Sequence, residues 1–163
     1  MRHPKTERFC AIAALFVALA PVRAQSVESL ASIVGVWQSD TSNGTSAVSN
    51  CAWTATHTAV LCDQIVTTPK ATLHALSLFT FDPAAKKFVF YGLSHPGDPM
   101  KPTPLSIDGK TWIYGGLTKE QDGKYYRTLN EFEAGDSYKW RSQSSSDGKA
   151  WTVDAQGKSV RKK

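Results

Sequence analysis

Three histidines beyond residue 24 have side chains able to ligate a metal or haem, or to move a proton. His57 falls in a predicted turn, His74 in a predicted strand and His95 in a proline-rich segment. No two of them have the spacing of a metal-binding pair. His74 alternates with Leu76 and Leu78, so it is either a hydrogen-bonded histidine at the edge of a core or a group that faces an interior ligand.

The sequence contains no recognisable catalytic motif. It lacks a nucleophile elbow, a phosphate-binding loop, a carboxylate pair at an informative spacing and a Cys/His dyad. We therefore predict no catalytic residue, no cofactor and no metal site. An enzyme built from scattered Ser, His and acidic residues stays open as an alternative.

Aromatic and cationic side chains stand out in the later part of the chain. Tyr125 and Arg127 share one predicted strand face, and Lys139 and Arg141 share another. An arginine pointing into a cavity beside aromatic rings would bind an amphipathic ligand with an anionic head. Alternatively these charges form the wet outer surface, because a period of two does not tell which face is inside. The candidate ligand-contact residues are His74, Tyr91, Trp112, Tyr114, Arg127, Trp140 and Arg141.

A predicted hairpin over 71–92 organises the strands that would position these side chains. Asp82 and Pro83 suit the first two positions of a type I turn, since the carboxylate caps the turn and the proline ring presets φ. Both faces of this hairpin carry large apolar groups, as expected between a core and a second layer or a cavity. The facing pairs are Phe81 with Phe88, Phe79 with Phe90 and, on the opposite face, Leu78 with Tyr91.

Strand-like runs recur along the rest of the chain with almost no helical periodicity. Turn-forming pairs such as Asp108-Gly109 and Gln156-Gly157 separate them. We predict an all-β fold, a single antiparallel meander β-barrel of about eight to ten strands, because closure removes exposed sheet edges. A short helix over 25–33, with Ser26 as N-cap, precedes it. The predicted strands are about 45–54, 59–67, 71–81, 86–92, 103–108, 110–115, 124–132, 137–143, 150–153 and 158–161.

The segment 95–104 contains four prolines. Proline has no N–H to donate to a strand ladder, so we predict a rigid, solvent-exposed loop here. This loop either rims the mouth of the barrel or is an ordinary connection.

Residues 1–24 have the pattern of a secretory signal peptide. A basic start precedes an apolar run over 9–20, and Val22-Arg23-Ala24 supplies small residues at the −3 and −1 cleavage positions. We expect cleavage after Ala24, a mature domain over 25–163, and a periplasmic or secreted location. An uncleaved membrane anchor is the alternative.

Charge gives little support for nucleic-acid binding. Removing four basic and one acidic residue from totals of 19 and 14 would leave 15 basic and 13 acidic residues. We therefore predict no nucleic-acid partner and no membrane contact after cleavage.

Cleavage would also remove Cys10 and leave Cys51 and Cys62 in an oxidising compartment. The segment around them predicts a hairpin turning at Thr56 and His57, which sets the two cysteines directly opposite each other. A disulfide there would stabilise the fold by roughly 3 kcal/mol in the chain-entropy model. Two free thiols, or half of a metal site, are the alternatives.

Gly35-x-Trp37 is the pattern with which lipocalins and their calycin relatives begin. A wider series of motifs over 33–161 resembles the secreted bacterial family called domain of unknown function fifteen seventy-nine. The resemblance implies a calycin-like β-barrel without an assigned reaction, in which Trp37 closes the barrel floor under Arg161. The motifs are Gly35-Val-Trp37, Cys51-x-Trp53, Cys62, Phe81-Asp82-Pro-Ala, Phe88-Val-Phe-Tyr-Gly92, Gly109-Lys-Thr-Trp112, Tyr126-Arg127-x-x-Asn130, Tyr138-x-Trp140 and Ser146-Asp147-Gly148-x-x-Trp151.

Nitrobindins are barrels of similar outline, and this similarity would make His74 an axial haem ligand. The match is incomplete, because Ser39 and Thr41 stand where nitrobindins have further glycines.

Taken together, these features favour a monomeric periplasmic or secreted barrel that binds a small amphipathic or hydrophobic molecule without turnover. Two alternatives remain open. One is an enzyme acting on a ligand in the barrel lumen, with His74 as its best candidate residue. The other is a packed barrel that serves as an interaction module of the cell envelope.

Overall fold

The computed structural model describes residues 25–41, 44–93, 101–133 and 136–163. These residues form a short 3₁₀ helix and ten antiparallel strands in a closed barrel, in which every strand pairs with its chain neighbours and β1 closes on β10. The predicted all-β meander barrel is confirmed. The predicted signal peptide lies outside the described residues, and so does His95.

The element bounds follow the predicted turns closely at most positions. The 3₁₀ helix covers Val27–Ile33, and Ser26 stands at its N-cap without a side-chain capping bond. The strands are β1 Gly35–Asp40, β2 Ser46–Trp53, β3 Ala59–Thr67, β4 Thr72–Asp82, β5 Lys87–Leu93, β6 Lys101–Asp108, β7 Thr111–Lys119, β8 Tyr125–Phe132, β9 Ser137–Ser145 and β10 Thr152–Arg161.

The hairpin of β4 and β5 has the predicted register. Asp82 caps its turn, since Oδ1 accepts from the backbone N–H groups of Ala84 at 2.9 Å and Ala85 at 3.0 Å. Because side chains alternate along a strand, one face of the hairpin points into the barrel and the other points out. The facing pairs are Phe81 with Phe88, Phe79 with Phe90 and Leu78 with Tyr91.

The 3₁₀ helix and Trp37 close one end of the barrel. The indole Nε1 donates to the Ile33 carbonyl at 2.7 Å, and the Arg161 guanidinium lies 4.2 Å from the Trp37 ring centroid. Arg161 also donates to the carbonyls of Val34 and Ser32. A β-carbon at Gly35 would collide with this guanidinium, and the φ of +128° also favours glycine, so Gly35 leaves room for the arginine over the indole.

Two predictions about the chain path are wrong. Residues 101–104 are mostly exposed, but they belong to β6 and pair with β5 instead of forming a loop, while the loop residues 95–100 lie outside the described residues. The predicted turn at Gln156 and Gly157 lies inside the single strand β10, which has a bulge between Val153 and Ala155. Gly157 is needed there for packing, because a β-carbon would come within 2.8 Å of the Trp140 ring.

Candidate functional site

The barrel encloses a cavity of about 370 Å³, here called the central cavity. It extends from Ile33 of the 3₁₀ helix to Thr41, Ser46 and Val66, which lie at or just beyond the strand ends remote from that helix. Inward side chains of eight strands form its wall. They include Ser39, Ser49, Cys51, Cys62, Gln64, Ser77, Phe79, Phe90, Tyr114, Thr128, Asn130, Tyr138 and Trp140.

Aromatic rings form a continuous surface on one side of the central cavity. The Phe79 and Phe90 centroids are 5.2 Å apart, and Phe90 and Tyr114 are also 5.2 Å apart in an edge-to-face arrangement. Phe79 is also 5.8 Å from Trp112, which is fully buried. This surface can contact an apolar or aromatic ligand by stacking.

One polar pair of the wall consists of the partly buried Tyr114 and the buried Asn130. Asn130 Nδ2 donates to the Tyr114 hydroxyl oxygen at 2.8 Å. Burial, and next the proximity of Tyr138, raise the pKa of Tyr114 well above its ordinary value, although the hydrogen bond from Asn130 opposes this shift. Tyr114 is therefore a neutral phenol, and its O–H proton can be donated to a ligand oxygen.

Toward the end of the barrel remote from the 3₁₀ helix, the described residues of the cavity wall are polar but uncharged. Gln64 Nε2 donates to Ser49 Oγ at 2.9 Å, and the hydroxyl groups of Ser39 and Ser159 share a short hydrogen bond. Among the described residues, those that line the central cavity include no Asp, Glu, Lys, Arg or His. These residues therefore offer neutral hydrogen bonds and aromatic contacts.

The predicted disulfide between Cys51 and Cys62 is confirmed. The two residues face each other across β2 and β3, and both are buried against the central cavity. Trp53 pairs with Val60 in the same hairpin. The disulfide thus fixes the register of two strands that form the cavity wall.

Three of the candidate ligand-contact residues lie on the inner face of the barrel. Tyr114 and Trp140 line the central cavity. Trp112 lies deeper, between Phe79 and Phe132, and its indole N–H has no hydrogen-bond partner among the described residues.

The prediction that the candidate side chains face the lumen is wrong for four of them: His74, Tyr91, Arg127 and Arg141. Phe79 points inward, so the period of two turns His74 outward, where it is exposed and pairs with Ile65. Tyr91 lies beside Leu78 on the same outer face. A haem ligand or an acid–base group at position 74 would not reach the lumen, which contradicts both hypotheses built on that histidine.

Both arginines have partners on the outside of the barrel. Arg141 Nη2 is 2.8 Å from Glu131 Oε1. Arg127 Nε donates to Gln143 Oε1 at 2.8 Å, and its guanidinium lies 3.9 Å from the Trp151 ring centroid. The outer-surface interpretation of these strands is therefore correct.

Sequence reasoning missed Asn130 and Gln64 as cavity residues. Each stands on a strand whose other face carries charges, such as Glu131 beside Asn130 and Asp63 beside Gln64. That alternation was the available signal, because the charged face of such a strand is the one that meets water.

No group of three or more His, Cys, Asp or Glu side chains within the described ranges is placed to hold a metal ion. In the same ranges no helix is long and apolar enough to cross a membrane. No model of a known protein family matches the chain, and no curated protein matches it.

Proposed function

We propose that this chain is a periplasmic or secreted barrel protein that binds a small amphipathic or hydrophobic molecule in its central cavity without transforming it. The observation that carries the proposal is the uncharged, aromatic-lined cavity of about 370 Å³. Pockets for small ligands typically measure about 300–1,000 Å³ and combine apolar walls with a few polar groups. The size and the lining of the central cavity fit that description.

The polar groups suggest which part of a ligand the cavity holds. Tyr114 can donate its phenolic proton, and the Asn130 carbonyl oxygen can accept a hydrogen bond. A neutral group with a carbonyl or hydroxyl oxygen would satisfy both, while a ring or short chain contacts Phe79 and Phe90. The cavity also counts against the packed-barrel alternative, which requires a filled interior.

The proposed compartment is supported by the disulfide. Disulfides persist in oxidising compartments and are rare in the cytosol. The Cys51–Cys62 bond and the leader pattern in 1–24 therefore point in the same direction. Membership in the family called domain of unknown function fifteen seventy-nine stays a prediction.

Titration with the neutral fluorophore N-phenyl-1-naphthylamine tests binding in the cavity. Ser77→Phe adds a ring to the cavity wall, and Asn50→Phe adds the same ring to the exposed outer face of β2. We expect the wild type and Asn50→Phe to bind the fluorophore equally, and Ser77→Phe to bind it about tenfold more weakly, which corresponds to about 1.4 kcal/mol. Equal binding by all three proteins would contradict the proposal.

Native mass spectrometry of gently purified protein, before and after denaturation, looks for the natural ligand. We expect an added mass that is lost on denaturation and is reduced in Ser77→Phe. A bare chain in the native spectrum, together with no fluorophore binding, would favour the interaction-module alternative.

A further inference from the structure

The barrel wall is split between β6 and β7 at the end remote from the 3₁₀ helix. The two strands pair only from Leu105 with Tyr114 to Asp108 with Thr111. Residues 101–104 of β6 pair with β5 alone, and residues 115–119 of β7 have no partner on β6. Within the described ranges, half of this strand pair is therefore unpaired.

Proline keeps β6 from closing the split. Pro102 and Pro104 lie two residues apart, so their missing N–H groups fall on the same side of the strand. The ladder with β5 continues through both positions. The side without donors is consequently the one toward β7, where no ladder forms.

Glycine turns β7 away from the split. Gly115 pairs with Arg127 and Lys119 with Tyr125, so residues 116–118 bulge opposite Tyr126. Gly115 has φ of +77°, and a β-carbon there would lie 2.7 Å from the Tyr126 carbonyl oxygen. Only glycine fits, and the bulge that follows leaves Leu117 75% exposed.

The split contains a space of about 550 Å³ that borders both sides of the wall, here called the side opening. On the inside it shares Phe90, Tyr114 and Thr128 with the central cavity. On the outside it shares Pro102, Leu117 and Arg127 with an apolar groove that runs past Trp151, here called the outer groove. The side opening thus lies between the central cavity and the outer groove and shares lining residues with both.

Arg127 stands at the outer rim of the side opening without a counter-ion. No carboxylate in the described part of the chain lies within ion-pair distance of it, whereas Arg141 pairs with Glu131 and Arg161 with Asp136. Desolvation, and then repulsion from Arg141, lower the pKa of Arg127. A guanidinium nevertheless stays protonated at neutral pH, so Arg127 is a cation, and Lys101 and Lys119 against Glu120 leave the described lining of the side opening with more positive than negative groups.

We propose that the ligand is an amphipathic anion that reaches the central cavity through the side opening. Its carboxylate, sulfonate or phosphate group stays outside the cavity and binds Arg127. Its apolar part lies against Phe90 and Tyr114, which border both spaces. The Trp151 ring beneath the guanidinium and the hydrogen bond to Gln143 hold the cation in place. This inference rests on the proposed binding function and adds the ligand class and the route.

Two fluorophores that differ by one charged group test the ligand class. The anion 1-anilinonaphthalene-8-sulfonate has the rings of N-phenyl-1-naphthylamine plus a sulfonate. We expect Arg127→Gln to weaken binding of the sulfonate probe about tenfold and of the neutral probe less than twofold, since only the former has a charge-assisted contact to lose. Arg127→Lys retains the charge and should recover part of the loss. Arg141→Gln is the matched control and should change neither affinity.

The outcomes separate this inference from the function on which it rests. If neither probe binds the wild type, the proposed function fails. If both probes bind, both are blocked by Ser77→Phe, and Arg127→Gln weakens neither, the cavity function stands and the anion site is wrong. If the sulfonate probe binds Ser77→Phe as well as the wild type, the anion lies only in the outer groove and the shared route is wrong.

Stopped-flow association of the neutral probe tests the route. Thr103 lies beside Gly115 at the side opening, with its methyl carbon 3.7 Å from where a β-carbon of that glycine would be. Ser46 lies at the end of the barrel. We expect Thr103→Trp to slow association about tenfold, and Ser46→Trp, which adds the same ring at the barrel end of the central cavity, to slow it clearly less. The reverse pattern would show that ligands come in through the barrel end and would overturn the route.

Discussion

Removing the Cys51–Cys62 disulfide should destabilise the barrel by roughly 3 kcal/mol. The two cysteines are 11 positions apart. In the chain-entropy model a closed loop of that size restricts the unfolded chain by about 2.8 kcal/mol at 25 °C. Replacing both cysteines by alanine also removes two buried sulfur atoms from the cavity wall, at a cost of about 1 kcal/mol or less each. The expected total is therefore about 3–5 kcal/mol.

Urea denaturation of the oxidised wild type and of Cys51→Ala/Cys62→Ala, followed by tryptophan fluorescence, measures this loss. Because the uncrosslinked chain expands further when unfolded, we also expect a larger dependence of the unfolding free energy on urea. Ser49→Ala/Gln64→Ala is a useful control, since it changes the next inward pair on the same two strands without touching the crosslink. A loss below 1 kcal/mol with an unchanged urea dependence would refute the reasoning.

Two further perturbations test the closed end of the barrel and its surface charges. Arg161→Ala should lower the unfolding free energy by about 2–3 kcal/mol, because it removes the contact with Trp37 and the bonds to Val34 and Ser32, whereas the exposed Lys162→Ala should have no effect in the same urea titration. Hydrogen bonds from Lys158, Lys139 and Ser137 lower the pKa of the Glu133 carboxyl from 4.5 to about 2. The stability that the ionised carboxylate gives to the folded state should therefore be complete above pH 4.5 and disappear as the pH falls toward 2. Thermal melts of wild type and Glu133→Gln should therefore differ at pH 6 and converge near pH 2, and a constant difference would contradict this assignment.

Strand register was predictable because it depends on local residues. Asp82 and Pro83 define the turn of β4 and β5, and once that turn is fixed every facing pair follows from the period of two. The pairing of Cys51 with Cys62 follows in the same way from a turn at Thr56 and His57. Closure into a barrel follows from the need to pair the outermost strands.

Which strand face points inward was not predictable from the hairpin of 71–92 alone. Its two faces are similarly apolar, and Leu76 remains 39% exposed on the outside. His74 and Tyr91 therefore looked like interior residues although they lie outside. The reverse holds for Asn130, which is polar and yet faces the cavity. Its side chain donates a hydrogen bond to the Tyr114 hydroxyl. Hydrophobicity separates inside from outside poorly when interior polar groups hydrogen-bond each other.

The proline-rich segment shows how one rule can mislead. Proline excludes a residue from a strand that is paired on both sides, but it permits a strand that is paired on one side. Residues 101–104 are of the second kind, since β5 is their only partner. The sequence alone could not distinguish the two cases, because the pairing of β6 depends on the glycine bulge of β7 in a different part of the chain.

The same residues explain how a split wall can persist without attracting another chain. An open strand edge normally offers a row of donors and acceptors on which a foreign strand can pair. Pro102 and Pro104 remove the donors from the β6 edge, and the bulge at Gly115 and Gly116 makes the β7 edge irregular. A peptide therefore finds no regular ladder to extend, whereas a small molecule, which needs none, can still pass. If the side opening is the proposed route, these edges would disfavour β-strand partners while leaving access to the cavity.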